Sequence, residues 1–249
     1  MKALVIVAAL AVVVVVLGVL ARHQHNLRAT ATNAGEKMDK VTIMDPSQVL
    51  YSLATICDRM APLESPGGGP TDVDLSIHED DWRQIEFVPA IDSEYIASKL
   101  AELRQFKVDH RKGAGWTRIF IRPDHPTDFG IASLRFLALR QILAARPGRL
   151  FIFQSWSAPV ETAGQVPGGF SFRVGPHFSV YGFEGHDIVR ALGIHIDRLD
   201  NTQLDLDSAC AALSAIARQA ELEIVDWYQC KTVAPDSESE VRAWLTPHM

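Results

Sequence analysis

The stretch 75-LSIHEDDWRQIEF-87 concentrates side chains that could do chemistry: His78, Glu79, Asp80 and Asp81, then Trp82 and Arg83. Carboxylates and imidazole are good ligands for hard or borderline cations, and they also serve as general acids and bases. Neighbours on an extended chain point to opposite faces, so only His78 with Asp80, or Glu79 with Asp81, can share a side. Either pair supplies two ligands, and a metal needs a third from elsewhere, with His110, His125, His177, His186 and His195 available. That set defines one reading, a metal-dependent hydrolase built on His78 and its neighbouring carboxylates.

The apolar residues around the cluster favour another reading. Leu75, Ile77, Ile85 and Phe87 all fall on odd positions, so the segment is apolar at both ends and charged in the middle. A hairpin bend or a bulge at a sheet rim accounts for that pattern. An aromatic residue and an arginine beside a negative patch are the types that dominate interfaces, and the patch would attract a basic partner. Glu79, Asp80, Asp81, Trp82 and Arg83 are therefore the candidate interface. The expected function is a non-catalytic binding domain that uses an acidic patch, with a basic protein as partner and no catalytic residue, metal or cofactor assigned.

Other chemistry-bearing stretches read as structural. The acid-rich 197-DRLDNTQLDLD-207 lacks the glycine and the terminal glutamate of a calcium loop, and reads as a loop entering a helix capped at Asp205 or Asp207. Asp226 shares a face with Leu222, Ile224 and Tyr228 by alternation. It is either a general base or a buried carboxylate held by hydrogen bonds, and the second is expected. Ser155 has no inferable histidine or aspartate beside it. No G-x-S-x-G, H-E-x-x-H, P-loop or dinucleotide glycine fingerprint occurs, and Gly67-Gly68-Gly69 before Pro70 reads as an exposed loop. Cys57, Cys210 and Cys230 are odd in number and far apart, which argues against a disulfide framework or a zinc site.

The elements that must position these residues follow from periodicity and caps. Asp45-Pro46-Ser47-Gln48 predicts a helix start, continued by Val49, Leu50, Leu53, Ile56, Cys57 and Met60 and stopped at Pro62. Further helices are predicted over 93–108, 129–145, 187–192 and 206–219, and a last one after Ser237, where Ser237 and Glu240 have capping-box spacing. The helix over 129–145 has apolar residues around much of its circumference and should be the most buried. Strands are predicted over 116–122, 149–156 and 222–230, with a hairpin of 170–174 and 178–183 turning at Gly175-Pro176. The expected fold class is α+β: an N-terminal single transmembrane helix followed by one mixed, mainly antiparallel sheet covered by helices.

Residues 3–21 contain no charged or strongly polar side chain. Nineteen residues at about 1.5 Å each span about 28 Å, close to a bilayer's hydrocarbon thickness. The run is longer than a typical signal-peptide core, so residues 1–21 are expected to be an uncleaved single-pass membrane anchor through 3–21. Residues 22–40 then form a polar tether and 41–249 one globular domain. Arg22, Arg28, Lys37 and Lys40 follow the span closely, which favours the cytoplasmic side for the domain. Five cations and two acids give residues 1–40 a charge of +3, leaving −9 of the total −6 on the remainder. Such a domain is a poor match for nucleic acid, whose phosphates require clustered Lys and Arg.

Overall fold

Alternation along three long neighbouring strands organises the interior. The computed structural model describes residues 50–153, 164–175, 177–197 and 205–246, and these belong to a contact unit that begins at Leu50. Strand β1 covers Thr55–Cys57, β2 Leu75–His78 and β3 Ile85–Pro89, followed by helix α1 over Ser93–His110. Short strands β4 (Arg111–Lys112), β5 (Gly115–Trp116) and β6 (Phe120–Arg122) precede α2 (Phe136–Leu143). Then come β7 (Leu150–Phe153), β8 (Gly164–Gln165), β9 (Gly169–Arg173), β10 (Phe178–Gly185) and β11 (Ile188–Ile196). Helix α3 (Leu206–Ala217), β12 (Leu222–Asp226), β13 (Lys231–Val233) and α4 (Glu238–Leu245) complete the order.

The class is α+β, but the expected single sheet is in fact several. A six-stranded sheet runs β13-β12-β3-β11-β10-β9, with antiparallel pairing throughout. A second sheet, β2-β7-β8, is parallel between β2 and β7, and β1-β6 and β4-β5 form two-stranded sheets. Ile85, Phe87, Phe172, Val180, Ile194 and Ile224 pack with Leu139, Leu213 and Trp244 of the helices on one face of the six-stranded sheet. Tyr181 and Ala191 belong to a separate core with Leu75, Ile77, Trp82 and Ile152, which joins the second sheet to the first. Val88 and Val225 pack with Ile96, Leu100 and Leu103 of α1 in a third core. Leu75 and Ile77 therefore do not share an interior with Ile85 and Phe87, because the helical turn between β2 and β3 breaks the alternation.

Several expected elements match and several do not. Helix α1 buries Ile96, Leu100 and Leu103, as its spacing predicts. Helix α3 starts at Asp205, whose carboxylate accepts from Ser208 N at 3.1 Å, and α4 starts at Ser237, whose hydroxyl accepts from Glu240 N at 3.4 Å. The β9–β10 hairpin is present, with Pro176 of its turn outside the described residues. The expected helix ending at Pro62 is instead β1 from Thr55, paired in parallel with β6, so long-range pairing overrides its helical spacing; residues 45–49 lie outside the described residues. The expected helix at 187–192 is part of β11, where His186 and Asp187 (φ 56° and 66°) make the tight turn that a hairpin demands. The expected strand at 116–122 is interrupted between Trp116 and Phe120, and that at 222–230 ends at Asp226, with 227–230 forming the turn into β13. Expected helix 129–145 breaks at Ser133 (φ 53°) and leaves Leu139 as the buried residue of α2, while Ile131 and Leu137 are exposed. Residues 3–21 lie outside the described residues, among which no helix is long and apolar enough to cross a membrane.

Candidate functional site

The acidic cluster is a single helical turn, Glu79–Asp81, that links β2 of one sheet to β3 of the other. Its polar ends are tied locally. His78 Nδ1 accepts from Asp80 N at 3.2 Å, Gln84 Nε2 donates to Asp80 O at 2.6 Å, and Tyr228 Oη donates to Asp81 Oδ1 at 2.9 Å. The five candidate interface residues divide. Glu79, Asp80 and Asp81 are half-buried at the surface, whereas Trp82 is 2% and Arg83 6% exposed. The Trp82 indole packs near Tyr181 and Phe183 and donates to Arg59 O at 3.1 Å, so it is a core residue and not a surface anchor. Among the described residues no three His, Cys, Asp or Glu side chains converge to hold a metal ion, so His78 has no such set beside it.

Arg83 adopts φ 54°, a left-handed conformation that costs a non-glycine residue on the order of 1–3 kcal/mol. Its surroundings hold it there. Arg83 N donates to Tyr181 Oη at 2.8 Å, and its guanidinium pairs with Glu86 and with Asp124. Gly193 makes room for Tyr181, since a Cβ there would lie 2.5 Å from the ring's Cζ. Glu86 also accepts from Trp227 Nε1 at 2.8 Å. Arg122, 2% exposed, donates to Arg83 O, Gln84 Oε1 and Thr55 Oγ1 and lies over the Trp227 ring. Burial pulls Arg122 down to about 10, against the pull of Glu86, so it remains a cation at neutral pH. Burial opposes ionisation of Asp124 as well, but the Arg83 charge and hydrogen bond hold its carboxyl below the ordinary range. Two buried arginines thus face Glu86 and the partly exposed Asp124. Such a network tolerates no single deletion, because a removed partner leaves a buried charge uncompensated. Burial pushes the Cys57 thiol beside it up, so Cys57 is a poor nucleophile.

Arg83 and Asp124 reach the wall of a cleft of about 470 Å³. Trp82, Met60, Phe129 and Phe183 give it apolar walls, and Arg59, Arg190 and Asp128 give it a charged rim. That volume and mixture suit a ligand pocket. The rim pairs, Arg59–Asp124 at 3.5 Å and Arg190–Asp128 at 3.4 Å, are long and solvated, so they yield easily to an incoming group. His125 also lines the cleft. Its Nδ1 contacts Thr127 O and lies 3.4 Å from Asp92 Oδ2, and Asp92 is fixed by Thr127 N and Thr127 Oγ1. A carbonyl only accepts, so Nδ1 carries the proton, and in the neutral tautomer Nε2 is then the acceptor.

Asp226 is 0% exposed, with Oδ1 accepting from Gln229 N and Oδ2 from Trp244 Nε1, each at 2.8 Å. It therefore brackets the β12–β13 turn to α4, as a buried strand aspartate must. Asp197 and Asp205 lie among the described residues, while 198–204 and Ser155 lie outside them. Sequence reasoning missed Arg59, Asp92 and Asp124 as site residues. The one local signal is the polar loop 122-RPDHPTD-128, whose two prolines forbid a regular element. No family model, curated protein or solved structure matches the chain.

Proposed function

We propose that this chain is a membrane-tethered binding domain, held by residues 3–21, whose partner enters the cleft beside the Glu79–Asp81 turn. The observation that supports it is the cleft itself: apolar walls, a rim of weakly paired charges, and a buried, backbone-strained Arg83 fixed at its wall. Strain of this kind persists where the surrounding structure over-determines it, and it clusters at binding and catalytic sites. An apolar side chain of the partner fills the cleft, flanking charges exchange with the rim pairs, and the acidic turn steers a basic partner by long-range attraction. The test is photo-crosslinking from the full chain in its native membrane. A reactive side chain at Pro62, on the cleft wall, captures a partner, and one at Ser239, on α4 behind the opposite sheet face, does not. Equal capture from both positions, or none from Pro62, would sink the reading.

The Asp92–His125 pair supports a second reading, a metal-independent hydrolase in the same cleft. An imidazole with Nδ1–H held and Nε2 unprotonated is set up to take a proton from water attacking an ester. Turnover of a chromogenic ester that disappears in His125→Gln, with the fold unchanged by circular dichroism, would favour it over binding alone. Equal turnover by the variant removes it.

A further inference from the structure

A second face has a composition opposite to the domain's average. Residues 104–118 carry Arg104, Lys107, Arg111, Lys112 and Arg118 against one acid, Asp109, in a region whose net charge from residue 41 onward is −9. Arg111, Lys112 and Arg118 are exposed, and among the described residues no carboxylate pairs with them. The same face exposes apolar side chains: Val108 at 74%, with Leu50 and Tyr51 each about two-fifths exposed. Its pieces are joined by contacts. Tyr51 and Trp116 exchange both backbone hydrogen bonds, Arg111 stacks over the Trp116 ring, and β4 pairs with β5. Between them opens a groove of about 660 Å³, whose lining includes Leu53, Val108, Trp116 and Tyr228 with Lys107 and Arg111 at its edge. Within that lining the Trp116 indole N–H is buried with no acceptor among the described residues.

We propose that this face docks on an anionic phospholipid surface, an inference that rests on reading residues 3–21 as a membrane span. Three features select a bilayer. The charge is complementary to acidic headgroups. Exposed Val, Leu and Tyr beside a half-buried Trp among cations match the make-up of interfacial membrane-binding segments. The chain also enters the described unit on this face, at Leu50, covalently joined to the predicted span through residues that include Arg22, Arg28, Lys37 and Lys40. Tethering makes docking intramolecular, so a weak surface affinity suffices. Headgroup phosphates meet Arg111, Lys112 and Arg118, while Val108 and Tyr51 enter the interfacial layer.

The full chain, reconstituted in phosphatidylcholine vesicles with and without phosphatidylserine, tests this by amide hydrogen exchange. Exchange over 107–118 slows when phosphatidylserine is present and recovers at high salt. Neutralising Arg111, Lys112 and Arg118 to Gln weakens docking about fivefold per charge and leaves exchange in β10 and β11 unaltered. Equal exchange in both vesicle types overturns the proposal and gives the face to a protein partner instead. Alkaline extraction of the same vesicles reads the span separately: release of the chain overturns the anchor, whereas retention with unprotected 107–118 overturns only the docking face.

Discussion

Successive residues of β3 point into two different interiors. Ile85 and Phe87 enter an apolar core closed by α2, α3 and α4, while Glu86 enters a buried ionic network with Arg83 and Arg122. The apolar side is held by close packing, which accepts any side chain of the right volume at moderate cost. The ionic side is held by mutual compensation, in which each group is tolerable only while its partner is present. The cleft adjoins the ionic side, through Arg83 and Asp124. The lesson is that the sheet separates stability from recognition by face: the packed side tolerates substitution, and the networked side carries the groups a ligand can address.

Five measurements test the difference between the two faces. The largest effect is expected at Glu86. Glu86→Ala removes the buried carboxylate that pairs with Arg83 and faces Arg122, leaving Arg83 only the partly exposed Asp124, and should cost about 3–5 kcal/mol in denaturant unfolding. Replacing Arg83, Glu86 and Arg122 together by apolar residues should recover most of that loss. A single-site cost under about 1 kcal/mol would mean that water relaxes the network. On the opposite face, Phe87→Ala should cost a similar 3–5 kcal/mol through its cavity. Phe87→Met, which stays apolar and refills much of the volume, should restore most of it, a rescue for which Glu86→Gln has no counterpart.

Trp244→Phe removes the donor to Asp226 Oδ2 inside the packed face and should cost about 1–3 kcal/mol, read as a lower unfolding midpoint. Asp74 gives a pH signature. Burial opposes its ionisation, but the Arg149 guanidinium, the Arg149 and Thr71 backbone N–H groups and the Thr71 hydroxyl together hold it at about 2. A folded pKa below the unfolded 3.8 means stability that is present above about pH 4 and lost as pH falls towards 2. Asp74→Asn should flatten that window by about 1–2 kcal/mol, after allowance for solvent screening. The smallest effect belongs to the surface turn. Glu79→Gln with Asp80→Asn should change stability by under about 0.5 kcal/mol, while slowing association with a basic partner at low salt. An unchanged association rate would remove the turn as a steering element.

Local signals reached as far as local forces do. The apolar stripe of α1, the caps Asp205 and Ser237 and the hairpin around Gly175 all depend on residues within a few positions of one another, whereas Asp226 takes one local partner, Gln229, and one distant partner, Trp244. The helix expected before Pro62 and the one expected at 187–192 failed because pairing with distant strands decided them, β1 with β6 and β11 with β10. Alternation does not carry through 78–83, because Glu79–Asp81 is a helical turn that resets the phase between β2 and β3, so it could not show that Trp82 and Arg83 turn inward. His125 was visible as a histidine and Asp92 only as an acid before a helix. Their pairing across 33 positions depends on the loop that brings Thr127 against Asp92.

By itself the sequence determined the α+β class, the apolar stripe of α1, the caps of α3 and α4, the central hairpin and the acidic character of the Glu79–Asp81 turn. These are settled by short-range sterics, hydrogen bonding and periodicity, which are written in neighbouring residues. Only the tertiary structure decided that the strands divide among several sheets, that Arg83, Glu86, Arg122 and Asp124 compensate one another, and that a cleft and a basic aromatic face lie where they do. Those features depend on which distant segments share a low-dielectric interior, and the energy of a buried charge is fixed by the partner it meets there.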